Sequence, residues 1–312
     1  RLDEILWGGV VQDGIPPLRD PKMVSANEAN YLEEDNVVFG FYVNGVAKAY
    51  PRRILAWHEF VVDQFADRRV AGVYCTLCGT VIAYDMHHEG DYHDLGTSGF
   101  LYRSNKLMYD VATQSLWNTI DGAPVLGPLA GKGIELDVYS VVTTTWGEWK
   151  TIHPETMVLS LETGYDRDYR EGAAYQDYFA TDALMFPVPL SSDKLQNKDE
   201  VFIIRSEKFQ EDPVAISRKY LTSKGLLQTR ISGSNVVVIS TENGAFRAYE
   251  SGDVSFRSFK RGKLKDAEDN EWMISEEAIY TSDGKKLNRL PGHMIYWFAW
   301  YNRYPGTRLI HE

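Results

Sequence analysis

The two cysteines of the chain, Cys75 and Cys78, flank two residues in "VYCTLCGTVIAYD" (73–85), and thiols at this spacing can cycle between dithiol and disulfide, hold a soft metal ion, or form a staple. A thioredoxin-type couple opens a helix, whose N-terminal partial charge acidifies the first thiol. Here a strand-like segment, "TVIAYD", follows instead. A staple across so short a loop gains only about 2 kcal/mol from chain entropy. Cys-x-x-Cys-Gly on a tight turn is the shape of a metal knuckle, with both thiolates aimed at one ion. A closed zinc site would then recruit His, Asp or Glu, because the chain has no third cysteine.

The nearest candidates in sequence are His58 and Glu59 of "WHEFVVD", one strand earlier, which antiparallel pairing could bring to the sulfurs. An imidazole there would accept a thiol proton near neutral pH, and a carboxylate would orient it or exchange protons itself. The catalytic set read from the sequence is therefore Cys75, Cys78, His58 and Glu59; as a metal site it is Cys75, Cys78 and His58. "SNKLMYDVATQSLWNT" (104–119) supplies Met108, Tyr109, Asp110 and Trp117, which with Trp57 are the expected pocket residues. Met108, as a thioether ligand, would shift a thiolate site from zinc towards copper(I). His87, His88 and His93 read as a solvated loop, and Trp146 and Trp149 as packing.

These residues need elements to carry them, and the sequence repeats itself in a way that suggests which. "NVVFGFYVNGVAKAYPRRIL" (36–55) aligns with "EVFIIRSEKFQEDPVAISRKYL" (200–221), "VYCTLCGTVIAYD" (73–85) with "VISTENGAFRAYE" (238–250), and "WGEWKTIHPETMVLS" (146–160) with "WFAWYNRYPGTRLIH" (297–311). The expected fold is mainly β with a few short helices, as two diverged copies of a barrel- or sandwich-like unit in tandem. An arm spans 1–30, the first copy 31–170, a connector 171–192 and the second copy 193–312. In the second copy Asn243-Gly244 marks a hairpin turn, which puts Cys75 and Cys78 on the equivalent turn, with Gly79 taking its strained angle. "WHEFVVDQF" (57–65) reads as strand, "SANEANYL" (25–32) as a short capped helix, "YQDYFATDALMF" (175–186) as a helix, and "KRGKLKDAEDNE" (260–271) as a charged loop.

A net charge of −11 makes phosphate backbones and anionic lipid poor partners. Nucleic acid is not expected, and no apolar run reaches the ~18 residues of a membrane helix. Two cysteines in 312 residues exclude a disulfide-scaffolded fold. The start at "RLDEILWGG", without Met or an apolar leader, reads as a trimmed or processed form.

In combination, "GIPPL", "AYPRRILAWHE", "YCTLCGT", "SNKLMYD", "SLWNT" and "HPETMVLS" resemble domain-of-unknown-function family 3179 over most of residues 14–170 and, more weakly, to the end. The resemblance implies a family that includes selenoproteins, with selenocysteine standing in the Cys-x-x-Cys motif, and exported members. Selenocysteine at a position matching Cys75 or Cys78 would point to redox chemistry, of which this chain would run a thiol version. The expectation is a thiol-dependent redox protein, oxidoreductase-like, acting on a small-molecule or protein thiol or peroxide substrate, with one cysteine attacking and the other resolving. The alternative is a zinc or copper module, structural or copper-dependent, without thiol cycling. Exported relatives point to the periplasm or the cell exterior, where a cysteine pair is easily oxidised.

Overall fold

The structure, a computed structural model, describes residues 2–312 and is mainly β, with 43% strand and 13% helix. Alternating apolar residues in "VVFGFYV" and "VAKAYP" form β1 (Val37–Val43) and β2 (Val46–Pro51), an antiparallel pair. Pro51 precedes the seven-residue helix α1 (Arg52–His58), which buries Ile54, Leu55 and Ala56. The chain then runs through the antiparallel strands β3 (Phe60–Phe65), β4 (Arg68–Cys75) and β5 (Thr80–Asp85).

Next come β6 (Leu95–Tyr102) and β7 (Asn105–Asp110), which pair antiparallel; Ile5–Trp7 of the arm pairs with β6. The first half closes with β8 (Val141–Thr145), α2 (Trp146–Ile152) and β9 (Met157–Leu159). β8 lies antiparallel to β1, and β9 parallel to β2. Gly40 on β1 lets α2 approach, since a Cβ there would sit 2.2 Å from the Trp149 ring.

After the one-turn helix α3 (Gln176–Phe179) this order returns. β10 (Glu200–Ile204) pairs with β11 (Val214–Ser217), followed by α4 (Arg218–Lys224), β12 (Leu226–Ile231), β13 (Ser234–Ser240) and β14 (Phe246–Glu250). Near the C-terminus, β15 (Gly292–Tyr296) lies antiparallel to β10, α5 (Trp297–Arg303) follows, and β16 (Arg308–Ile310) runs parallel to β11. Trp149 Nε1 donates to Thr156 Oγ1 at 2.9 Å, and Trp300 Nε1 to Thr307 Oγ1 at 2.8 Å. The β12–β14 sheet grows to eight strands that nearly close into a barrel. Gln228 seals its ends by exchanging two hydrogen bonds with the Phe256 backbone, at 2.7 and 2.8 Å.

Four local expectations need correction. Trp57 and His58 belong to α1, not to a strand; the strand starts at Phe60. Residues 25–32 form turns, because the Ser25–Glu28 pair closes a single bend with no helix beyond it. In 175–186 only the turn Gln176–Phe179 is helical. Half of the charged stretch 260–271 is paired strand, Lys260, Lys263–Asp266 and Glu271, turning at Arg261-Gly262. Among the described residues no helix is long and apolar enough to cross a membrane.

Candidate functional site

The cysteine turn is where the sequence pattern placed it. β4 ends at Cys75, a single 3-10 turn spans Thr76–Cys78, and Gly79 reverses the chain with φ 60° before β5. The sulfurs lie 2.7 Å apart as free, buried thiols. Cys78 Sγ donates to the Ser104 carbonyl oxygen at 3.2 Å and accepts from Asn105 Nδ2 at 3.2 Å. The connector and the second half pack over the turn. Tyr178 donates to the Leu77 carbonyl at 2.7 Å, Thr80 to the Met294 carbonyl at 3.0 Å, and the sulfurs share an apolar cluster with Ile295, Trp297 and Trp300.

Glu59 reaches the turn because α1 ends on it. Its backbone is left-handed, φ 55°, costing about 1–3 kcal/mol for a residue with a side chain. Its N–H caps α1 at the Leu55 carbonyl (2.6 Å), and its carbonyl accepts from Tyr74 N at 2.9 Å, which ties the strained residue to β4. The carboxylate forms a buried ion pair with Lys106 of β7, Oε2 to Nζ 2.5 Å, and accepts from Thr76 Oγ1 (2.6 Å) and Tyr175 OH (2.8 Å). A buried charge is tolerated only when paired and hydrogen-bonded in this way.

Cys75, Glu59, Lys106 and Tyr175 border one small cavity of about 70 Å3, roofed by the arm and the connector; Cys78 does not border it. Burial works against charge on both thiols. At Cys75 the contact with the Cys78 thiol, the Lys106 main-chain N–H and the Lys106 ammonium bring the thiol below its usual range. Burial, and then the adjacent Cys75 sulfur, hold Cys78 well above that range. Cys75 is the acidic member of the pair.

His58, expected beside the thiols, faces elsewhere. Its Nδ1 lies 2.9 Å from the Pro16 carbonyl oxygen and its Nε2 2.6 Å from Tyr169 OH, which occupies both nitrogens, and burial lowers its pKa. The set Cys75, Cys78 and His58 is therefore not assembled. Among the described residues no three His, Cys, Asp or Glu side chains gather as metal ligands. Met108, the proposed copper ligand, packs with Trp117 in a different core cluster. Trp57 donates to the Asp168 carbonyl, Tyr109 to Asp13, and Asp110 accepts from Thr113 and lies 3.3 Å from His93 Nδ1. None of these five lines the cavity.

A larger cleft of about 620 Å3 runs between the halves, past Gly79, Tyr74 and Tyr296. Arg52 and Arg218 on its wall are already paired, with Glu171 at 2.9 Å and Glu200 at 2.5 Å, and neither sulfur borders it.

The sequence profile of one protein family, described as a protein of unknown function (DUF3179), matches residues 12–307. The chain belongs to this family. The match spans both halves, the connector and the cysteine turn, so all of the cavity's lining except Gly8 and Val10 lies within the matched region. No curated protein and no solved structure is detectably similar to the chain.

Proposed function

We propose that this protein is a dithiol–disulfide redox protein in which Cys75 attacks and Cys78 resolves. The observation that carries this reading is the 2.7 Å separation of two sulfurs of which one alone, the more acidic, meets a cavity. Thiolate attack on an electrophilic oxidised compound forms a bond to Cys75 and expels a leaving group. Cys78 then attacks the Cys75 sulfur, the S–S bond forms, and the substrate fragment departs with the Cys78 proton. The substrate gains two electrons and the pair loses two. Lys106, Glu59 and Tyr175 form a hydrogen-bonded group that can deliver or take up protons where charge changes. We further read the two halves as diverged copies of one unit, the second without thiols; the matching strand orders support this.

Thiol counting after reaction with the general oxidant diamide tests the redox reading. Both thiols should vanish together, as one intramolecular disulfide. Cys75→Ser should abolish rapid alkylation, while Cys78→Ser should leave Cys75 alkylable but unable to form the internal disulfide. Independent loss of the two thiols, or unchanged alkylation in Cys75→Ser, would refute it.

A further inference from the structure

We propose that the compound reduced at Cys75 is a small organic hydroperoxide, an assignment that rests on the dithiol reading above. Size comes first. The cavity of about 70 Å3 is small. Cys75 is 2% exposed and Cys78 fully buried, so the disulfide of a folded protein cannot align with either sulfur. The occupant must be a small molecule.

Polarity comes second. The lining joins the polar Cys75, Glu59, Lys106, Tyr175, Thr76 and Thr97 to a larger hydrocarbon share that includes Ile15, Leu77, Phe100, Leu101, Met185 and Phe186. The apolar wall continues to the surface, where Met185 is 53% exposed and Phe100 39%. Trp7, itself 62% exposed, pairs with Phe100 across the neighbouring strand. A molecule with a compact polar reactive end and an apolar tail matches this lining, and a hydroperoxide provides an electrophilic oxygen at that end.

The chemistry closes on the residues present. The Cys75 thiolate attacks the terminal oxygen: an S–O bond forms, the O–O bond breaks, and the alkoxide leaves as an alcohol with a proton from the Lys106 ammonium, which solvent restores. Cys78 then attacks the sulfenic sulfur. The S–S bond forms, the S–O bond breaks, and the hydroxyl leaves as water with the Cys78 proton. One hydroperoxide and one dithiol give one alcohol, one water and one disulfide.

Single-turnover mixing of the reduced protein with tert-butyl hydroperoxide or hydrogen peroxide, quenched by alkylation, tests this. Thiol loss should be about tenfold faster with the organic peroxide, the scale of discrimination an apolar wall provides, and one tert-butyl alcohol should appear per disulfide. Met185→Glu should lower the ratio of the two rate constants about tenfold, and Met185→Leu should preserve it. Equal rates for the two peroxides, or rates no faster than free cysteine while diamide still closes the disulfide, would overturn the hydroperoxide assignment and leave the redox reading standing. Failure of diamide as well would remove both.

Discussion

At the scale of single residues the site depends on an ion pair that sequence patterns do not reveal. Lys106 sits in "SNKLMYD", where a lysine reads as solvated strand surface, yet it is buried against Glu59 and lies beside Cys75. Lys106→Met would leave a buried carboxylate without its counter-charge, so urea unfolding should show a loss of about 3–5 kcal/mol. It should also raise the pH at which Cys75 becomes reactive, because the ammonium helps to hold that thiol below its usual range; the pH profile of iodoacetamide labelling reads this directly. The double variant Lys106→Met with Glu59→Gln should recover much of the stability and bring the labelling midpoint back down, because the Glu59 carboxylate, whose charge raises the Cys75 thiol, is removed with the ammonium. Glu59 was legible as a neighbour in sequence, and His58 misled for a physical reason. The helix ends between them, and the left-handed turn at Glu59 sends its carboxylate to the thiols while the imidazole stays pinned to Pro16 and Tyr169.

At the scale of elements, the cysteine hairpin was readable because turn chemistry is local. Gly79 follows the pair as Asn243-Gly244 follows Ser240, and both glycines have positive φ. What could not be read is what the turn meets. A Cβ at Gly79 would lie 2.6 Å from the Tyr296 ring, a contact made across the two halves of the chain. Gly79→Ala should therefore cost about 1–2 kcal/mol for the left-handed backbone alone, plus the clash. Combining it with Tyr296→Ala should remove the clash but not the backbone cost, and a double-mutant cycle in urea should show that coupling. The cavity walls were invisible for a related reason. Tyr175, Met185 and Phe186 come from the segment read as a connector, and Ile15 from the arm, where no periodicity marks a residue as functional.

At the scale of the whole molecule, the β-rich class was legible from alternating patterns and turn residues, whereas the joint between the halves was not. Glu276 accepts from Arg247 (2.6 Å) and Arg289 (2.8 Å) of its own half and lies 3.4 Å from His153 of the other. Burial alone would raise its pKa; Arg247, the hydrogen bond with His153 and Arg289 outweigh that and hold the carboxyl well below its ordinary value. A carboxylate depressed in this way contributes stability that is complete above the ordinary carboxylate range and fades as pH falls towards its lowered value. Urea midpoints taken from neutral pH downwards should fall accordingly. Glu276→Gln should flatten that dependence and cost about 3–5 kcal/mol at pH 7, since two buried guanidiniums lose their partner. The same packing that closes the second half over the cysteine turn places the indoles of Trp297 and Trp300 in the sulfurs' own apolar cluster. A disulfide quenches nearby indole emission more strongly than a thiol pair does, so the molecule contains its own optical gauge: the fluorescence of an unlabelled sample should fall when the sulfurs join.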